Sequence, residues 1–404
     1  MRILHVTQYG SVIGGVETYA ADLHRLLRRE GYAVTLIYGR APSGPSIRTI
    51  APESLLVPAL RPEAGKWSER EIELRRMVEQ IAPDVILTHD VEEAEVLRLF
   101  SRLRPTIPFV HVQSRYVCPG RGKFYARQKR ACERPFGPYC AIAPYWHACG
   151  TRRPWRLLTN LRATKQWIET ARQLKRVLVA SEYMKRELLA VGFSEDQIVV
   201  NPPFVEPLST GEGSLPIREA RQEALPIVLF CGRLYDYKGA DLLLRALEFV
   251  EPPVRAVFIG DGPELPKLKR LASHVAVRHI VSFPGWLSRA AVFGFYRRAR
   301  VVVIPSIWPE PFGRVGPEAM RQGAPIVAFR VGALPEWIRD GETGWLVEPG
   351  DVRALATAIE RVVSDEALAA AMSARAMHVA VEQFDARRHV ERLMRAFEEA
   401  RQET

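Results

Sequence analysis

Long hydrophobic runs are missing from this sequence of 404 residues. No window of about 18 residues is both apolar and uncharged, so no membrane-spanning helix is expected. The N-terminal segment MRILHVTQYG has too short an apolar run for a signal peptide, and it alternates like a β-strand. We therefore expect a cytoplasmic protein.

Cysteine is scarce, and none of the five is in a close CxxC pair of the kind typical of a structural zinc site. Cys231 lies in the apolar run VLFCG and is expected to be a small core residue. A cytoplasmic protein rarely keeps stable disulfides. A four-thiolate metal site and ordinary or redox-sensitive thiols are therefore the alternatives for the remaining four: Cys118, Cys132, Cys140 and Cys149.

Acidic residues are almost absent from one long stretch of the chain. Between Arg115 and Arg176, fifteen Lys or Arg residues accompany two acidic ones, a local net charge of +13 in a chain whose total is +11. Such a segment favours an acidic partner, either an acidic or lipid-linked acceptor or an anionic membrane surface, over nucleic acid. A solvated basic face is the alternative.

Strand-like apolar runs alternate with amphipathic helical stretches, a pattern typical of parallel sheets with helices on both sides. The length suits two domains, which we place at 1–205 and 226–383, with a polar linker at 206–225. The predicted strands are RILHVT, AVTLIY, DVILTH, PFVHV and RVLVAS in the first half, and IVLFCG, RAVFIG, HIVSFPG, VVVIPS and APIVAF in the second.

An irregular segment at about 115–153, rich in Pro, Gly, Arg, Cys and aromatic residues, interrupts the alternation. The following stretch, 154–175, reads as a helix that carries Trp155, Leu158, Leu161 and Trp167 among basic residues. That mixture suits a helix at a membrane interface, and equally a helix packed on its own sheet.

A glycine pair follows the first predicted strand, in the segment Gly14-Gly15-Val16-Glu17. Glycines let the backbone approach a ligand closely, and the N-terminus of the helix that follows favours an anion. A plain tight turn is the alternative.

The segment GRLYDYKG, Gly232 to Gly239, lies between a predicted strand and the helix ADLLLRALEF. Arg233 and Lys238 therefore lie at the carboxyl end of a strand, where open α/β sheets bind ligands. Because a helix N-terminus disfavours cations, their placement indicates an anionic ligand such as a diphosphate. A surface Arg and Lys at a helix start is the alternative.

The segment EPFGRVGPE, Glu310 to Glu318, follows the predicted strand VVVIPS. Its two carboxylates can accept hydrogen bonds from sugar hydroxyls, one from a hexose and one from a ribose. The backbone N–H groups of Phe312 and Gly313 are candidates for the same ligand. For Glu318 alone, an acid stabilised by the helix dipole is the alternative.

Taken together, these segments resemble the family-4 retaining glycosyltransferases of the GT-B fold. The resemblance is carried, in order, by GGVE, GRLYDYKG, IGDGPE, EPFGRVGPEAMRQGAPIVA and GETGWLVEPGD, and by Asn201 in IVVNPPFV. It implies an α/β chain of two Rossmann-like domains whose parallel sheets face each other across a cleft. It also implies that the last helix, at 384–404, packs back on the N-terminal domain.

The same resemblance implies a hexosyltransferase that retains the anomeric configuration. The donor would be a nucleotide diphosphate sugar and the acceptor a hydroxyl group, in polysaccharide, lipopolysaccharide or glycolipid synthesis at the inner face of the cell membrane. The implied site residues are Arg233 and Lys238 for the diphosphate, Glu318 for the ribose, Glu310 for the donor sugar, Gly14 and Gly15 over the phosphates, and His111 near the reacting centre, with His89 as a second candidate.

A front-face mechanism is the expectation, because no carboxylate stands out as a nucleophile for a double displacement. No DxD motif follows a strand, so Arg233 and Lys238 are expected to replace a divalent metal, and no cofactor is expected. The chain departs from the family pattern at Gly332-Ala333-Leu334-Pro335-Glu336, where many members have two glycines before PE.

Two other readings of the same features are a catalytically silent GT-B protein that binds an acidic polymer or a membrane, and a nucleotide-sugar epimerase or a phosphorylase on this fold. The intact set of Arg233, Lys238, Glu310 and Glu318 disfavours both. The base (UDP, GDP or ADP) stays open, because backbone groups near 283–287 are expected to read it.

Overall fold

The structure is a computed structural model that describes residues 1–11, 14–41, 51, 53–206, 224–275 and 279–402. Most of the predicted linker, 207–223, lies outside the described residues. The chain forms two compact units. The first unit comprises Met1–Lys123, Glu133–Pro203 and Ala386–Thr404, and the second comprises Phe124–Cys132 and Phe204–Asp385.

The strands, in chain order, are β1 (Arg2–Tyr9), β2 (Ala33–Arg40), β3 (Leu55–Leu56), β4 (Val85–His89), β5 (Thr106–Val110), β6 (Phe124–Tyr125), β7 (Arg130–Ala131), β8 (Val177–Val179), β9 (Ile198–Val200), β10 (Ile227–Cys231), β11 (Arg255–Ile259), β12 (Ile280–Gly285), β13 (Ala299–Ile304), β14 (Ile326–Phe329) and β15 (Gly344–Val347).

The α-helices are α1 (Gly15–Arg29), α2 (Trp67–Ile81), α3 (Ala94–Leu103), α4 (Ala143–His147), α5 (Pro154–Ala171), α6 (Glu182–Leu189), α7 (Ala240–Leu247), α8 (Leu265–Ala272), α9 (Arg289–Arg298), α10 (Val315–Arg321), α11 (Leu334–Trp337), α12 (Val352–Ser364), α13 (Glu366–Gln383) and α14 (Ala386–Gln402). Short 3₁₀ helices lie at Pro58–Leu60, Pro62–Ala64, Pro138–Ala141 and Asp236–Lys238.

The first unit is built on a seven-stranded parallel sheet in the order β3-β2-β1-β4-β5-β8-β9. The central strands β4 and β5 are buried throughout, as expected for strands covered on both faces. The strand order reverses between β1 and β4. In open α/β sheets, ligands bind beyond the carboxyl ends of the strands at such a point.

The second unit is built on a six-stranded parallel sheet in the order β12-β11-β10-β13-β14-β15. Its strand order reverses between β10 and β13, so its ligand-binding point is expected beyond those two strands. Both sheets confirm the predicted α/β class with two Rossmann-like parallel sheets.

All ten predicted strands are present, and five short strands of the described residues escaped prediction: β3, β6, β7, β9 and β15. The edge strand β3 has two exposed residues, and the antiparallel hairpin β6–β7 has two residues in each strand. The predicted helix at 154–175 ends earlier, at Ala171. Across the part of the chain that the structure describes, no helix is long and apolar enough to cross a membrane.

Candidate functional site

The loop after β10 is held tightly against the loop after β11. The Leu234 N–H donates to the Asp261 carbonyl at 2.9 Å, and the Glu264 N–H donates to the Leu234 carbonyl at 3.1 Å. The loop ends at Gly239, whose φ is +71° and where a Cβ atom would overlap the Pro305 carbonyl oxygen. Only glycine fits there. The position of the preceding residue, Lys238, is therefore fixed by backbone geometry.

The Lys238 side chain forms an ion pair with Glu310, with Nζ and Oε1 2.6 Å apart. Its ammonium group also lies 4.8 Å from the centre of the Trp308 ring, a cation–π arrangement. The Glu310 side chain is only 7% exposed, against 23% for Lys238. Sequence reasoning placed both residues against the donor, but it did not foresee that they contact each other.

The backbone of Glu310 is held by the turn at Gly332-Ala333. The Ala333 N–H donates to the Glu310 carbonyl at 2.8 Å, and a Cβ at Gly332 would overlap that carbonyl oxygen. Gly332 has a φ of +54°, whereas Ala333 has an ordinary helical φ of −86°. The departure from the double-glycine pattern is thus tolerated, because only the first of the two positions requires glycine.

Glu318 lies in the first turn of α10 and is held by Arg314, a residue that sequence reasoning did not single out. The Arg314 Nε and Nη2 atoms donate to the same Glu318 oxygen, Oε1, at 3.1 and 2.9 Å. Phe312, two residues before Arg314, is buried, and its carbonyl accepts a hydrogen bond from the Trp337 indole at 2.8 Å. Gly313 follows with a φ of +81°.

Arg233 is the exposed cation of this group. It lies near Tyr237, whose pKa is raised mainly by burial, and the charge of Arg233 partly offsets that rise. The Tyr237 ring stacks on Tyr235 with centroids 5.5 Å apart. Both tyrosines belong to the GRLYDYKG segment, so their aromatic side chains beside Arg233 and Lys238 could have identified them as site residues from the sequence.

In the first unit, Gly14 and Gly15 begin α1. Gly14 is the N-cap, in an extended conformation, and its carbonyl accepts a hydrogen bond from the Thr18 hydroxyl at 2.7 Å. Glu17 in the same first turn is buried. These residues follow β1, on one side of the point where the strand order reverses.

The two candidate histidines form a pair. His89 ends β4, His111 follows β5, and the His89 Nδ1 and His111 Nε2 atoms are 2.7 Å apart. His111 also stacks on Phe109 with centroids 4.2 Å apart. Burial, followed by the charge of His111, lowers the pKa of His89 well below its usual value, so His89 is neutral at physiological pH.

Two further residues of the first unit support this histidine pair and were not found from the sequence. The Tyr19 ring lies 5.1 Å from that of His111, and its hydroxyl is 2.8 Å from the His389 Nε2 atom. The His389 Nδ1 atom is 2.9 Å from the Pro202 carbonyl. A carbonyl can only accept, so Nδ1 donates to it. In the neutral tautomer with that proton, Nε2 accepts a hydrogen bond from the Tyr19 hydroxyl. The Asn201 amide donates to the His389 carbonyl at 3.2 Å.

The four clustered cysteines are all half-buried. The Arg121 N–H donates to the Cys149 carbonyl at 2.7 Å, so the backbone after Cys118 lies against that of Cys149. Within the described ranges, no group of three or more His, Cys, Asp or Glu side chains is arranged to hold a metal ion.

Comparison with known proteins assigns both halves of the chain to glycosyltransferase families. Residues 13–207 match the model "Glycosyltransferase Family 4", and residues 215–379 match "Glycosyl transferases group 1". The D-inositol 3-phosphate glycosyltransferase of Acidothermus cellulolyticus is 38% identical over 188 residues, which are 43% of this chain and 42% of the relative. The lipopolysaccharide core biosynthesis glycosyltransferase LpsE of Rhizobium meliloti is 36% identical over 160 residues, 39% of this chain and 46% of the relative.

These curated relatives are thus matched over less than half of their length. Among solved structures, HepE from Anabaena in complex with UDP-glucose aligns with a TM-score of 0.72 at 19% identity, covering 98% of this chain and 99% of that one. At this identity the likeness shows the fold, GT-B, alone.

Proposed function

Because the chain belongs to the group 1 and family 4 glycosyltransferases, we propose that it transfers a sugar from a nucleotide diphosphate sugar to a hydroxyl acceptor. The observation that carries the proposal is the Lys238–Glu310 pair, which follows β10 and β13, the two strands where the order of the second sheet reverses. Exposed Arg233 follows the same strand β10. An anionic donor is expected at that point of the sheet.

The chemistry of these side chains suits a diphosphate sugar. An ammonium group has three donors, so Lys238 can keep one hydrogen bond to Glu310 and direct the others to phosphate oxygens. Arg233 supplies a second cation, and charge-assisted hydrogen bonds that strengthen as the diphosphate leaves lower the barrier to transfer. Glu310 Oε2 would accept from a hydroxyl of the donor sugar.

Glu318 would bind the ribose. Arg314 holds its Oε1 atom, which fixes the carboxylate and leaves Oε2 to accept from a ribose hydroxyl. The Phe312 and Gly313 backbone N–H groups would meet the donor beside it, and Gly14 and Gly15 would close over the phosphates. His111 would contact the reacting centre, oriented by His89.

The test is a thermal-shift series with UDP, GDP and ADP. A ligand at 100 times its Kd should stabilise the protein by about 2.7 kcal/mol. One nucleotide should shift the wild type, and Arg233→Ala should reduce that shift. Arg245→Ala, an exposed arginine on α7, is the matched control and should keep it. If no nucleotide shifts the wild type, the proposed donor class is wrong.

We further propose that the donor sugar is a hexose and that its anomeric configuration is retained without a divalent metal. The HepE complex with UDP-glucose supports a hexose donor, and the two cations Arg233 and Lys238 supply positive charge at the departing diphosphate. Product anomers followed by NMR test retention. Turnover unchanged by EDTA supports metal independence, and loss that Mg²⁺ restores would contradict it.

The basic segment supports a lipid-linked acceptor at an anionic membrane. Trp155 and Leu158, one turn apart on α5, are exposed, as are Tyr145 and Trp146 on α4. The Arg152 guanidinium donates to the Pro144 carbonyl at 3.3 Å and ties the start of α5 to α4. Aromatic side chains beside many cations suit the interface of an anionic bilayer. The proposed setting is therefore the inner face of the cell membrane, in polysaccharide, lipopolysaccharide or glycolipid synthesis.

Vesicle co-sedimentation tests this setting. The protein should bind vesicles that contain phosphatidylglycerol, and binding should fall at about 0.5 M salt, where charges are screened within a few Å. Trp146→Ala combined with Trp155→Ala should weaken binding, whereas Ile72→Ala, an exposed apolar residue on α2, should not. Equal binding to neutral vesicles, or no effect of the tryptophan changes, would contradict the proposal.

A further inference from the structure

Three polar side chains that the proposed mechanism does not use lie at the carboxyl edge of the first sheet. Glu17 lies in the first turn after β1, Asp90 directly follows β4, and Tyr116 lies in the loop after β5. The first two flank the point where the order of that sheet reverses. Asp90 is also the neighbour of His89, which pairs with His111.

One tryptophan holds this group in place. The Trp167 indole N–H donates to the carbonyl of Val91, the residue after Asp90, at 3.1 Å. The Tyr116 ring meets the Trp167 ring edge-on, with centroids 4.6 Å apart. Trp167 is itself fully buried. The Trp167 side chain therefore holds both the backbone that follows β4 and the Tyr116 ring.

Two atoms of the group lack a hydrogen-bond partner among the residues that the structure describes. These are Asp90 Oδ2 and the Tyr116 hydroxyl, and both atoms are buried. Tyr116 as a whole is only 3% exposed. Buried polar groups in native proteins nearly always find a partner, so two such atoms, on side chains that flank the contacts of Trp167, point to a ligand. Asp90 also has a φ of +52°, a strained conformation that recurs at functional sites.

The charges of the group restrict the ligand. Burial, and then the charge of Glu17, raise the pKa of Asp90 to about 8. At neutral pH Asp90 therefore keeps its proton and can donate, while Glu17 can accept. Burial, followed by the charge of Asp90, also raises the pKa of Tyr116 well above its usual value, which keeps the phenol protonated. The remaining negative charge repels a phosphate or a carboxylate.

We propose that Asp90, Tyr116 and Glu17 form a subsite for the hydroxyl groups of an uncharged sugar or polyol, at the end of the acceptor that receives the transferred sugar. The mixture of donors and acceptors matches vicinal hydroxyl groups, each of which donates and accepts. That the bound sugar or polyol is the acceptor rests on the proposed function, whereas the subsite itself rests on the geometry of the first unit. Any acidic part of the acceptor is thereby assigned away from these three side chains, to the cations of the basic segment 115–176.

Saturation-transfer NMR tests the subsite with defined probes: methyl α-D-glucopyranoside, methyl α-D-mannopyranoside, methyl α-D-galactopyranoside, myo-inositol and, as a charged counterpart, D-glucuronate. At least one neutral probe should bind the wild type, and glucuronate should bind more weakly than the glucoside. Asp90→Ala and Tyr116→Phe should each weaken binding about tenfold, the size expected for a lost hydrogen bond in a buried site.

Two further variants distinguish the loss of a hydrogen-bonding group from the loss of the folded structure. Asp90→Asn keeps the shape and a donor, so it should bind the neutral probe within about twofold of the wild type at neutral pH. Glu92→Gln, a nearby acid that pairs with Arg115, should leave binding unchanged. Tyr116→Phe removes a single oxygen atom, and an unchanged far-ultraviolet circular dichroism spectrum and melting temperature will show that its fold is intact.

The proposal is overturned if no neutral probe binds the wild type, if Asp90→Ala and Tyr116→Phe bind as well as the wild type, or if glucuronate binds more tightly than the glucoside. The nucleotide thermal shift measured on the same samples separates the two hypotheses. A retained nucleotide shift with no probe binding refutes the subsite alone, whereas loss of both also refutes the proposed function.

Discussion

At the scale of single residues, the ion pair between Lys238 and Glu310 sets how substitutions in the candidate site must be interpreted. Glu310 is nearly buried, and Lys238 is its cationic neighbour at 2.6 Å. Removing the lysine would leave a carboxylate that is poorly solvated and lacks that counter-charge. A loss of activity in Lys238→Ala alone therefore mixes lost donor binding with lost stability.

We expect Lys238→Ala to lower the free energy of unfolding by about 2–3 kcal/mol, below the full cost of breaking a buried pair because Lys238 is partly exposed. Adding Glu310→Gln should recover part of that loss, because it removes the uncompensated charge. Urea unfolding of the two single variants and the double variant measures the coupling. Losses that simply add would show that the pair does not contribute to stability.

Asp90 gives a pH dependence with a definite sign. Its pKa is about 8 in the folded protein, against an ordinary value of 3.8. Between these values the folded state holds a proton that the unfolded state has released, so this residue makes stability fall as pH rises from about 4 to about 8. Ionisation of Asp90 therefore opposes folding at alkaline pH.

Asp90→Asn cannot ionise and should remove this contribution. We expect the melting temperature of the wild type to fall more than that of the variant between about pH 5 and about pH 8.5. Thermal melts of both proteins in matched buffers measure the difference. Parallel pH profiles would show that the pKa of Asp90 is not raised.

At the scale of elements, the sequence pattern located the strands that are buried on both faces, because apolar runs of that length leave few alternatives. It missed β3, the β6–β7 hairpin, β9 and β15, which have two to four residues each and are too short to show a period. It also located Arg233, Lys238, Glu310 and Glu318 from their place after strands. The Lys238–Glu310 contact joins residues 72 positions apart, and the Tyr19–His389 contact 370 positions apart. Such contacts leave no spacing signal.

The junction between the Asp236–Lys238 turn and α7 depends on Gly239. An alanine in the left-handed backbone conformation costs about 1 kcal/mol. We expect Gly239→Ala to destabilise the second unit by well over that amount, because the added Cβ overlaps Pro305. Gly285→Ala is the matched control. Gly285 has a φ of +78° but open space around its Cβ position, so only the backbone cost applies.

Thermal melts of the two variants measure the difference between them. Equal losses would show that Pro305 moves aside readily. The nucleotide shift of Gly239→Ala, read on the folded fraction, should also be smaller, because Lys238 is then displaced.

At the scale of the whole molecule, the two compact units are not two consecutive halves of the chain. The first unit is completed by α14, which contributes the buried residues Val390, Leu393 and Phe397. Its His389 joins Tyr19 and Asn201, and Glu399 bonds to Arg176 at 2.8 Å. The stability of the first unit therefore depends on α14, Ala386–Gln402.

A chain ending at Asp385 should lose hydrogen-exchange protection in β9 and α1 while β10 and β11 of the second unit keep theirs. Phe397→Ala should show a weaker form of the same pattern, since removal of a buried aromatic side chain costs about 3–5 kcal/mol. Glu398→Ala, on the exposed side of α14, should leave protection unchanged. Equal loss of protection in both units would contradict this assignment of α14.

The return of α14 also has a consequence for synthesis on the ribosome. Domains generally fold as units in the order in which they emerge, N-terminal first. Here every segment of the second unit has been translated by Asp385, whereas the first unit still lacks its final helix. The first unit is thus completed after the second, and the apolar surface that α14 covers stays exposed until that helix has been translated. Until then, the first unit would be open to non-native contacts while the second unit is already complete.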